Sequence, residues 1–237
     1  IDTQVDLEYL LAMDTVKALP EPMVLYCGAA PFLTESITEA IRSVPLEENP
    51  RVLDVCCGTG DLALGWSRRT RGRGVVVGTD FTHPMLVLAV AKTTRRGATV
   101  HYLEADTLRL PLADSTFSVV STGFGIRNVG ETERGLAEMT RVCRPGGHVV
   151  ILECSTPRLP LVRGVFRFYF GQIVPRIGRL ISPDADAAYA YLPASAAEFP
   201  QGEAMAKLMR DAGLADIQVR PLSLGSVTLY VGQKPGR

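Results

Sequence analysis

Residues 51–61 read Arg51-Val52-Leu53-Asp54-Val55-Cys56-Cys57-Gly58-Thr59-Gly60-Asp61. A helical run follows, and residues 75–81 read Val75-Val76-Val77-Gly78-Thr79-Asp80-Phe81. The order is apolar strand, glycine turn, helix, second apolar strand and an acid at its end. One βαβ unit that takes an adenosine-type ligand in its first turn accounts for all of these parts. Gly58 and Gly60 permit a sharp turn and close approach of backbone to ligand. The helix that opens near Gly60 turns its free N–H groups to the same cleft. Asp80 stands where an acid can accept hydrogen bonds from both ribose hydroxyls. Asp54, a carboxylate within an apolar strand, needs partners to be buried. The N–H groups of the glycine turn are its expected donors.

Downstream, the pattern repeats the alternation of strand and helix. Thr82 is the expected cap of a helix with Pro84 in its first turn, ending at Arg95-Arg96-Gly97. Residues 99–105 read as a third strand, followed by Asp106-Thr107, and Asp106 is placed to meet an adenine amino group. Residues 117–121 read as a fourth strand. The loop Gly123-Phe124-Gly125-Ile126-Arg127-Asn128 follows it, and strand-end loops of an open α/β sheet carry chemistry. A helix over 131–142 ends at Arg144-Pro145-Gly146-Gly147, and a fifth strand over 149–153 ends at Glu153, which is expected to face the crevice. A helix over 202–210 and strands over 217–222 and 226–231, joined at Leu224-Gly225, close the chain as an antiparallel hairpin. The expected architecture is therefore α/β: a Rossmann-like, seven-stranded, mostly parallel sheet with a C-terminal antiparallel hairpin and helices on both faces. Residues 1–50 read as a small N-terminal helical elaboration, with apolar spacing over 32–44. Its expected place is over the cofactor site or beside the substrate pocket. Residues 51–237 form the main domain, with a substrate-side insertion at about 156–200.

Composition narrows the classes. The 237 residues are 46% hydrophobic, enough for one substantial core, and 25 Lys and Arg balance 25 Asp and Glu. Net charge gives no nucleic-acid footprint. Cys27, Cys56, Cys57, Cys143 and Cys154 are odd in number and lack disulfide or zinc spacing, so a reducing, cytoplasmic setting and no metal are expected. No run has the length of a membrane span and no signal peptide opens the sequence. Residues 159–181 are densely apolar and aromatic, interleaved with Arg158, Arg163 and Arg167. They read either as a core helix or as a greasy lid that meets a membrane surface and admits a long apolar substrate. His83, His101 and His148 do not cluster, and the latter two fall at strand beginnings, away from the crevice.

Gly58, Gly60 and Ala63 also satisfy the nicotinamide-dinucleotide spacing. Asp54, Asp61 and Asp106 argue against a diphosphate, because acids around the turn would repel it. An acid-rich crevice suits S-adenosylmethionine, which carries a cationic sulfur and an amino group.

The stretch 52–62 resembles the first motif of class I S-adenosylmethionine-dependent methyltransferases. More narrowly, the chain resembles the ubiquinone/menaquinone biosynthesis C-methyltransferase (demethylmenaquinone methyltransferase) family. The narrower match runs through Phe124-Gly125-Ile126-Arg127-Asn128-Val129, Glu138-Met139-Thr140-Arg141-Val142, Arg144-Pro145-Gly146-Gly147 and Leu152-Glu153-Cys154-Ser155. It returns at Pro175-Arg176-Ile177-Gly178 and from Tyr191-Leu192-Pro193 to Phe199-Pro200. It departs at residues 25–33, where the family's tryptophan-arginine pair has no counterpart.

The resemblance implies C-methylation of a prenylated hydroquinone such as demethylmenaquinol, with S-adenosylhomocysteine as second product. It implies a cytoplasmic enzyme, with peripheral membrane contact through 159–181 and a homodimer both left open. The implied cofactor contacts, with those read from the turn, are Asp54, Gly58, Thr59, Gly60, Asp80, Phe81, Met85, Asp106, Thr107 and Gly123. Arg127 and Asn128 are implied to lie beside the quinol. Arg127 offers a fixed cationic fork for a phenolate oxygen, Asn128 can orient the hydroxyl, and Glu153 is a candidate base by position. Competing readings are methylation of another small apolar or phenolic acceptor, a nicotinamide-dependent oxidoreductase, and a non-catalytic member that binds cofactor or prenyl lipid within a biosynthetic complex.

Overall fold

The computed structural model describes residues 30–157, 164 and 199–236. The N-terminal stretch 1–29, the apolar run 159–181 apart from residue 164, and the Pro175-Arg176-Ile177-Gly178 and Tyr191-Leu192-Pro193 motifs lie outside the described residues. Helix α1 (Ala30–Arg42) precedes strand β1 (Arg51–Val55), and α2 (Asp61–Thr70), β2 (Val75–Asp80), α3 (His83–Arg95) and β3 (His101–Glu104) follow in alternation. Then come β4 (Phe117–Gly123), a 3₁₀ turn (Ile126–Asn128), α4 (Thr132–Val142), β5 (Cys143–Cys154), α5 (Glu203–Asp211), β6 (Ala215–Leu222) and β7 (Val227–Gln233).

The strands form one seven-stranded sheet in the order β3-β2-β1-β4-β5-β7-β6. β7 enters between β5 and β6 and runs antiparallel to both, while the other pairs are parallel. Strand order reverses between β1 and β4, and in open α/β sheets the crevice outside the strand ends at such a reversal receives ligands.

Alternate residues of the central strands serve opposite faces, because successive side chains of a strand point opposite ways. Leu53, Val120, Ile151 and Tyr230 join Leu136, Met139, Met205 and Met209 of α4 and α5 in one core. Val52, Val119, Val150 and Leu229 join Ala40 and Ile41 of α1 and Trp66 of α2 in the other. Helix α1 thus packs on the sheet face beside α2. No helix among the described residues is long and apolar enough to cross a membrane.

Local differences from the sequence expectation have local causes. β5 begins at Cys143, six residues before the expected 149: Phe117 faces Cys143 and Val119 faces His148, so the Arg-Pro-Gly-Gly stretch bulges out between them. Thr82 does occupy the cap position of α3, but its hydroxyl makes no capping bond. Its N–H donates to Asp80 Oδ1 at 2.9 Å instead. Phe199, from the Phe-Pro pair, is buried in the core of the α4–α5 face.

Candidate functional site

The glycine turn leaves β1 through Cys56, which takes the left-handed conformation with φ 51°. Gly58 and Gly60 follow with φ 51° and 81°, a region that disfavours residues with a Cβ. A Cβ on Gly58 would meet nothing within 4 Å, so this side of the turn is open to a ligand. A Cβ on Gly60 would collide with Tyr102 Oη and lie 3.2 Å from Ala89 Cβ, so this glycine serves close packing under the turn. Tyr102 also stands where a side chain on Gly78 would be, and its hydroxyl shares a 2.8 Å hydrogen bond with Thr93.

Asp80, at the tip of β2, braces the turn. Its Oδ2 accepts the Gly58 N–H at 2.8 Å and its Oδ1 accepts the Thr82 N–H at 2.9 Å. Each carboxylate oxygen keeps a further lone-pair direction for a hydroxyl donor. Phe81 beside it is 70% exposed and Met85 is 37% exposed. Two exposed large apolar side chains beside Asp80 are suited to meet a flat heteroaromatic ring.

Asp54 departs from expectation. The Gly58 N–H goes to Asp80, and Asp54 instead meets β4: Ser121 Oγ donates to its Oδ1 at 2.9 Å, and Trp66 Nε1 donates to Ser121 Oγ at 2.9 Å. The Ala63 N–H at the head of α2 also steadies the carboxyl. Its Oδ2 is buried without a hydrogen-bond partner. Burial, opposed by the Ser121 hydrogen bond and reinforced by Asp80 and Asp61, pushes its pKa up to about 8. Burial holds this carboxyl neutral at neutral pH, and a cofactor that brings a positive charge would favour its ionised form.

Asp61 departs as well. It does not add a free negative charge to the turn, because Lys92 Nζ lies 3.1 Å from its Oδ2. The same ammonium donates to Thr59 Oγ1 at 2.8 Å. Asp61 is therefore no argument against a diphosphate, and neither is Asp54, whose raised pKa keeps its proton on at neutral pH; exposed Asp106 keeps that part. Asp106 is exposed, and its Oδ1 accepts the Leu108 N–H at 2.9 Å. Thr107 is buried, with its hydroxyl 3.2 Å from Cys56 Sγ. Gly123 ends β4, where a Cβ would press on Leu62 at 3.3 Å. The cofactor residues expected from sequence thus converge from β1, β2, β3 and β4.

Across the crevice, the loop after β4 turns through Phe124, also left-handed with φ 59°. Left-handed non-glycine residues cost of order 1 kcal/mol each and persist where surrounding structure enforces them. A Cβ on Gly125 would strike Cys56 Cβ, so the two crevice loops touch at their bases. Arg127 in the 3₁₀ turn reaches Glu153 at the tip of β5: Nη1 lies 2.6 Å from Oε1, with side chains 6% and 1% exposed. Nη1 also donates to the Phe124 carbonyl. Glu153 further accepts the N–H groups of Cys154 at 2.9 Å and of Arg127 at 3.4 Å. Burial pushes the Glu153 pKa up, while Arg127 and these N–H groups pull it down. Expected at the crevice, Glu153 is walled in beneath Arg127. Asn128 is exposed, its N–H bonded to Gly125 O at 3.0 Å.

Sequence reading passed over Lys92, Ser121, Tyr102 and the clamp on the loop after β3. The signal for Lys92 was a lysine on the same helical stripe as Met85 and Ala89. In the clamp, Arg141 holds Glu138 through Nε and Nη2, both at 2.7 Å. Its other bonds reach Leu110 O, Leu112 O and Asp114, so the Glu138-to-Val142 motif fixes the segment 110–114 that follows Asp106 and Thr107. His83 pairs with Glu104 on the surface at 2.8 Å. Among the described residues no cluster of three or more His, Cys, Asp or Glu is arranged to hold a metal.

A model of the ubiE/COQ5 methyltransferase family matches residues 35–234. The chain is 42% identical over 191 residues to a demethylmenaquinone methyltransferase of Thermus thermophilus, covering 80% of this chain and 86% of the relative. It is 43% identical over 196 residues to the protein of that name from Deinococcus radiodurans, covering 82% and 80%. It is 41% identical over 198 residues to the ubiquinone/menaquinone biosynthesis C-methyltransferase UbiE of Geobacter sulfurreducens, covering 82% and 76%. Among solved structures, an S-adenosylmethionine-dependent methyltransferase from Aquifex aeolicus superposes with a TM-score of 0.62 at 17% identity, covering 91% of this chain and 99% of that one, a likeness of fold.

Proposed function

Because the chain belongs to the ubiE/COQ5 methyltransferase family and is an S-adenosylmethionine-dependent methyltransferase, we propose that its acceptor is a prenylated hydroquinone of the demethylmenaquinol type, methylated on a ring carbon. The cofactor supplies an electrophilic methyl group on a sulfonium. Asp80 would hold the ribose hydroxyls, with Phe81 and Met85 against the adenine. The backbone at Gly58 would come close to the rest of the ligand, and Asp54 would lie behind it.

The observation that carries the acceptor reading is the buried Arg127–Glu153 pair at the tips of β4 and β5. A hydroquinone carbon becomes nucleophilic as its neighbouring hydroxyl loses a proton, and a phenol titrates near pH 10. A guanidinium held in place makes that loss easier by stabilising the oxygen anion as it forms. Glu153, with its carboxyl walled in, serves as a positioning residue that fixes the guanidinium. Asn128, on the exposed end of the same turn, orients the hydroxyl. The hydroxyl proton leaves to water. The bond from sulfur to the methyl breaks as the bond to the ring carbon forms. The hydrogen on that carbon is then lost as a proton and the oxygen regains one, which restores the aromatic ring. The apolar stretch 159–181 of the sequence is the segment suited to a prenyl tail, and peripheral contact with a membrane surface would follow from that role.

The test is incubation with a labelled methyl donor and reduced demethylmenaquinone, beside a panel of simple phenols, with the product identified by mass. A methylated quinol with the label on ring carbon supports the proposal. Label transferred to phenols alone, or to quinol oxygen, defeats it.

A further inference from the structure

We infer that Lys92 is a positioning residue for the methyl donor: through Thr59 and Asp61 it sets the glycine turn in the shape that receives the cofactor. This inference concerns the donor side only and holds whichever acceptor is used. Lys92 sits on α3, yet its side chain is 5% exposed and its ammonium ends under the turn. It donates to Thr59 Oγ1 at 2.8 Å and to Asp61 Oδ2 at 3.1 Å. Thr59 Oγ1 in turn donates to Asp61 Oδ2 at 3.3 Å. The Thr59 hydroxyl therefore accepts from the lysine and donates to the aspartate. With its proton and one lone pair committed inward, Thr59 offers the ligand its backbone and one remaining lone pair.

A strut between two helices would explain an ion pair here but not its endpoints. Thr59 belongs to the turn, and Asp61 is the first residue of α2, directly after Gly60. The turn has few other ties. Gly58 N–H is held by Asp80, Cys57 N–H by Thr79 O at 2.9 Å, and Gly60 N–H by Cys57 O at 2.8 Å. Tyr102 packs beneath Gly60, and Lys92 is the side chain that hydrogen-bonds the segment between Gly58 and Asp61 from below.

Its charge matters as well. Asp61 and Asp80 both raise the Asp54 pKa, so the acids around the turn repel one another. An ammonium that is itself 5% exposed relieves that repulsion, and without it the 39% exposed Asp61 carboxylate has only water to screen it from Asp80. Without Lys92, Asp61 would either swing out to water, taking the turn with it, or stay and add an unbalanced charge where the ligand's own carboxylate must be accommodated.

Calorimetry with S-adenosylhomocysteine needs no acceptor, so its outcome is separate from that of the quinol assay. Lys92→Met is expected to weaken S-adenosylhomocysteine binding at least tenfold and to raise KM for the donor by a similar factor. KM for the acceptor should stay within twofold, and amide hydrogen exchange over residues 58–62 should quicken in the free protein. Adding Asp61→Asn should restore at least threefold of the lost affinity, because no carboxylate then lacks its counter-ion. Binding by Lys92→Met within twofold of the parent overturns the inference, as does an equal rise of both KM values or a failure of Asp61→Asn to restore affinity. If Lys92→Met does not fold, Thr59→Val carries the test. The loss of its hydroxyl should weaken S-adenosylhomocysteine binding and quicken the same amides, and unchanged binding overturns the inference.

Discussion

The two sides of the crevice handle charge differently. On the donor side, at the tips of β1 and β2, Asp80 is held by two backbone N–H groups and Asp61 by a lysine that also holds a hydroxyl. On the acceptor side, at the tips of β4 and β5, one arginine and one glutamate face each other almost out of water. Backbone donors come with the fold and stay when a side chain is changed. The buried pair has less of that reserve: without the guanidinium, Glu153 keeps only the N–H groups of residues 154 and 127 and has no counter-charge in a dry place. The donor side should therefore lose affinity by degrees, whereas the acceptor side should fail abruptly.

The largest expected effect tests that contrast. Arg127→Ala should lower turnover by about a thousandfold, the upper range for removing one anion-stabilising donor. It should also cost about 3–5 kcal/mol of stability through the orphaned Glu153. S-adenosylhomocysteine affinity should stay within twofold in the folded fraction. Arg127→Ala/Glu153→Ala should recover much of the stability and none of the turnover, which denaturant melts and initial rates separate. A double variant that turns over near the parent rate would remove Arg127 from the chemistry.

A second effect belongs to Asp54, a donor-side acid with one buried oxygen that has no hydrogen-bond partner. Its folded pKa is raised, from 3.8 to about 8, so the sign is the reverse of the usual carboxylate case. Below about pH 4 folded and unfolded chains both hold the proton. As pH rises toward 8 only the folded chain keeps it, and stability is lost at up to about 1.4 kcal/mol per pH unit. Asp54→Asn escapes this loss. Its stability advantage over the parent should widen steadily from pH 5 to pH 8 in urea melts, while donor affinity falls. A constant difference over that window would mean that Asp54 titrates normally.

The same contrast explains how much was legible in the sequence. β1, the glycine turn, β2 and Asp80 lie within thirty residues, and spacing alone orders them. Arg127 and Glu153 were each singled out, but their pairing joins two strand tips 26 residues apart, and no local pattern encodes it. Asp54 was given the wrong donors for the same reason: Ser121 lies 67 residues on and arrives only because β4 pairs with β1. Asp61 looked like a charge facing the ligand because the lysine that neutralises it, 31 residues later, sits on a helix that otherwise reads as apolar. The start of β5 was misplaced because Pro145 and two glycines read as a turn, which they are, inside a strand that begins before them.

A smaller effect separates the two glycines of the turn. Gly58→Ala meets open space and should cost only left-handed strain, about 1 kcal/mol, plus whatever the methyl group takes from the ligand. Gly60→Ala carries the same strain and also strikes Tyr102, so it should be the less stable of the two by about another 1–2 kcal/mol. Tyr102→Phe should return part of that difference to Gly60→Ala and nothing to Gly58→Ala. Equal stabilities for the two alanine variants would mean that Tyr102 is not packed beneath the turn.

The smallest signal is spectroscopic and reads the donor side directly. Trp66 is the chain's one tryptophan, fully buried, and its indole N–H donates to Ser121 Oγ, which donates to Asp54. A charge that appears on Asp54 strengthens the Ser121 donor bond and polarises the indole beyond it. Trp66 emission should therefore shift between pH 6 and 9 with a midpoint near 8, and the shift should vanish in Asp54→Asn. Ser121→Ala removes a hydrogen bond that favours the charged carboxylate, so it should shrink the shift and move its midpoint upward. A midpoint that stays put in Ser121→Ala would show that β4 does not set the state of the acid behind the turn, and that the donor side is held by local contacts alone.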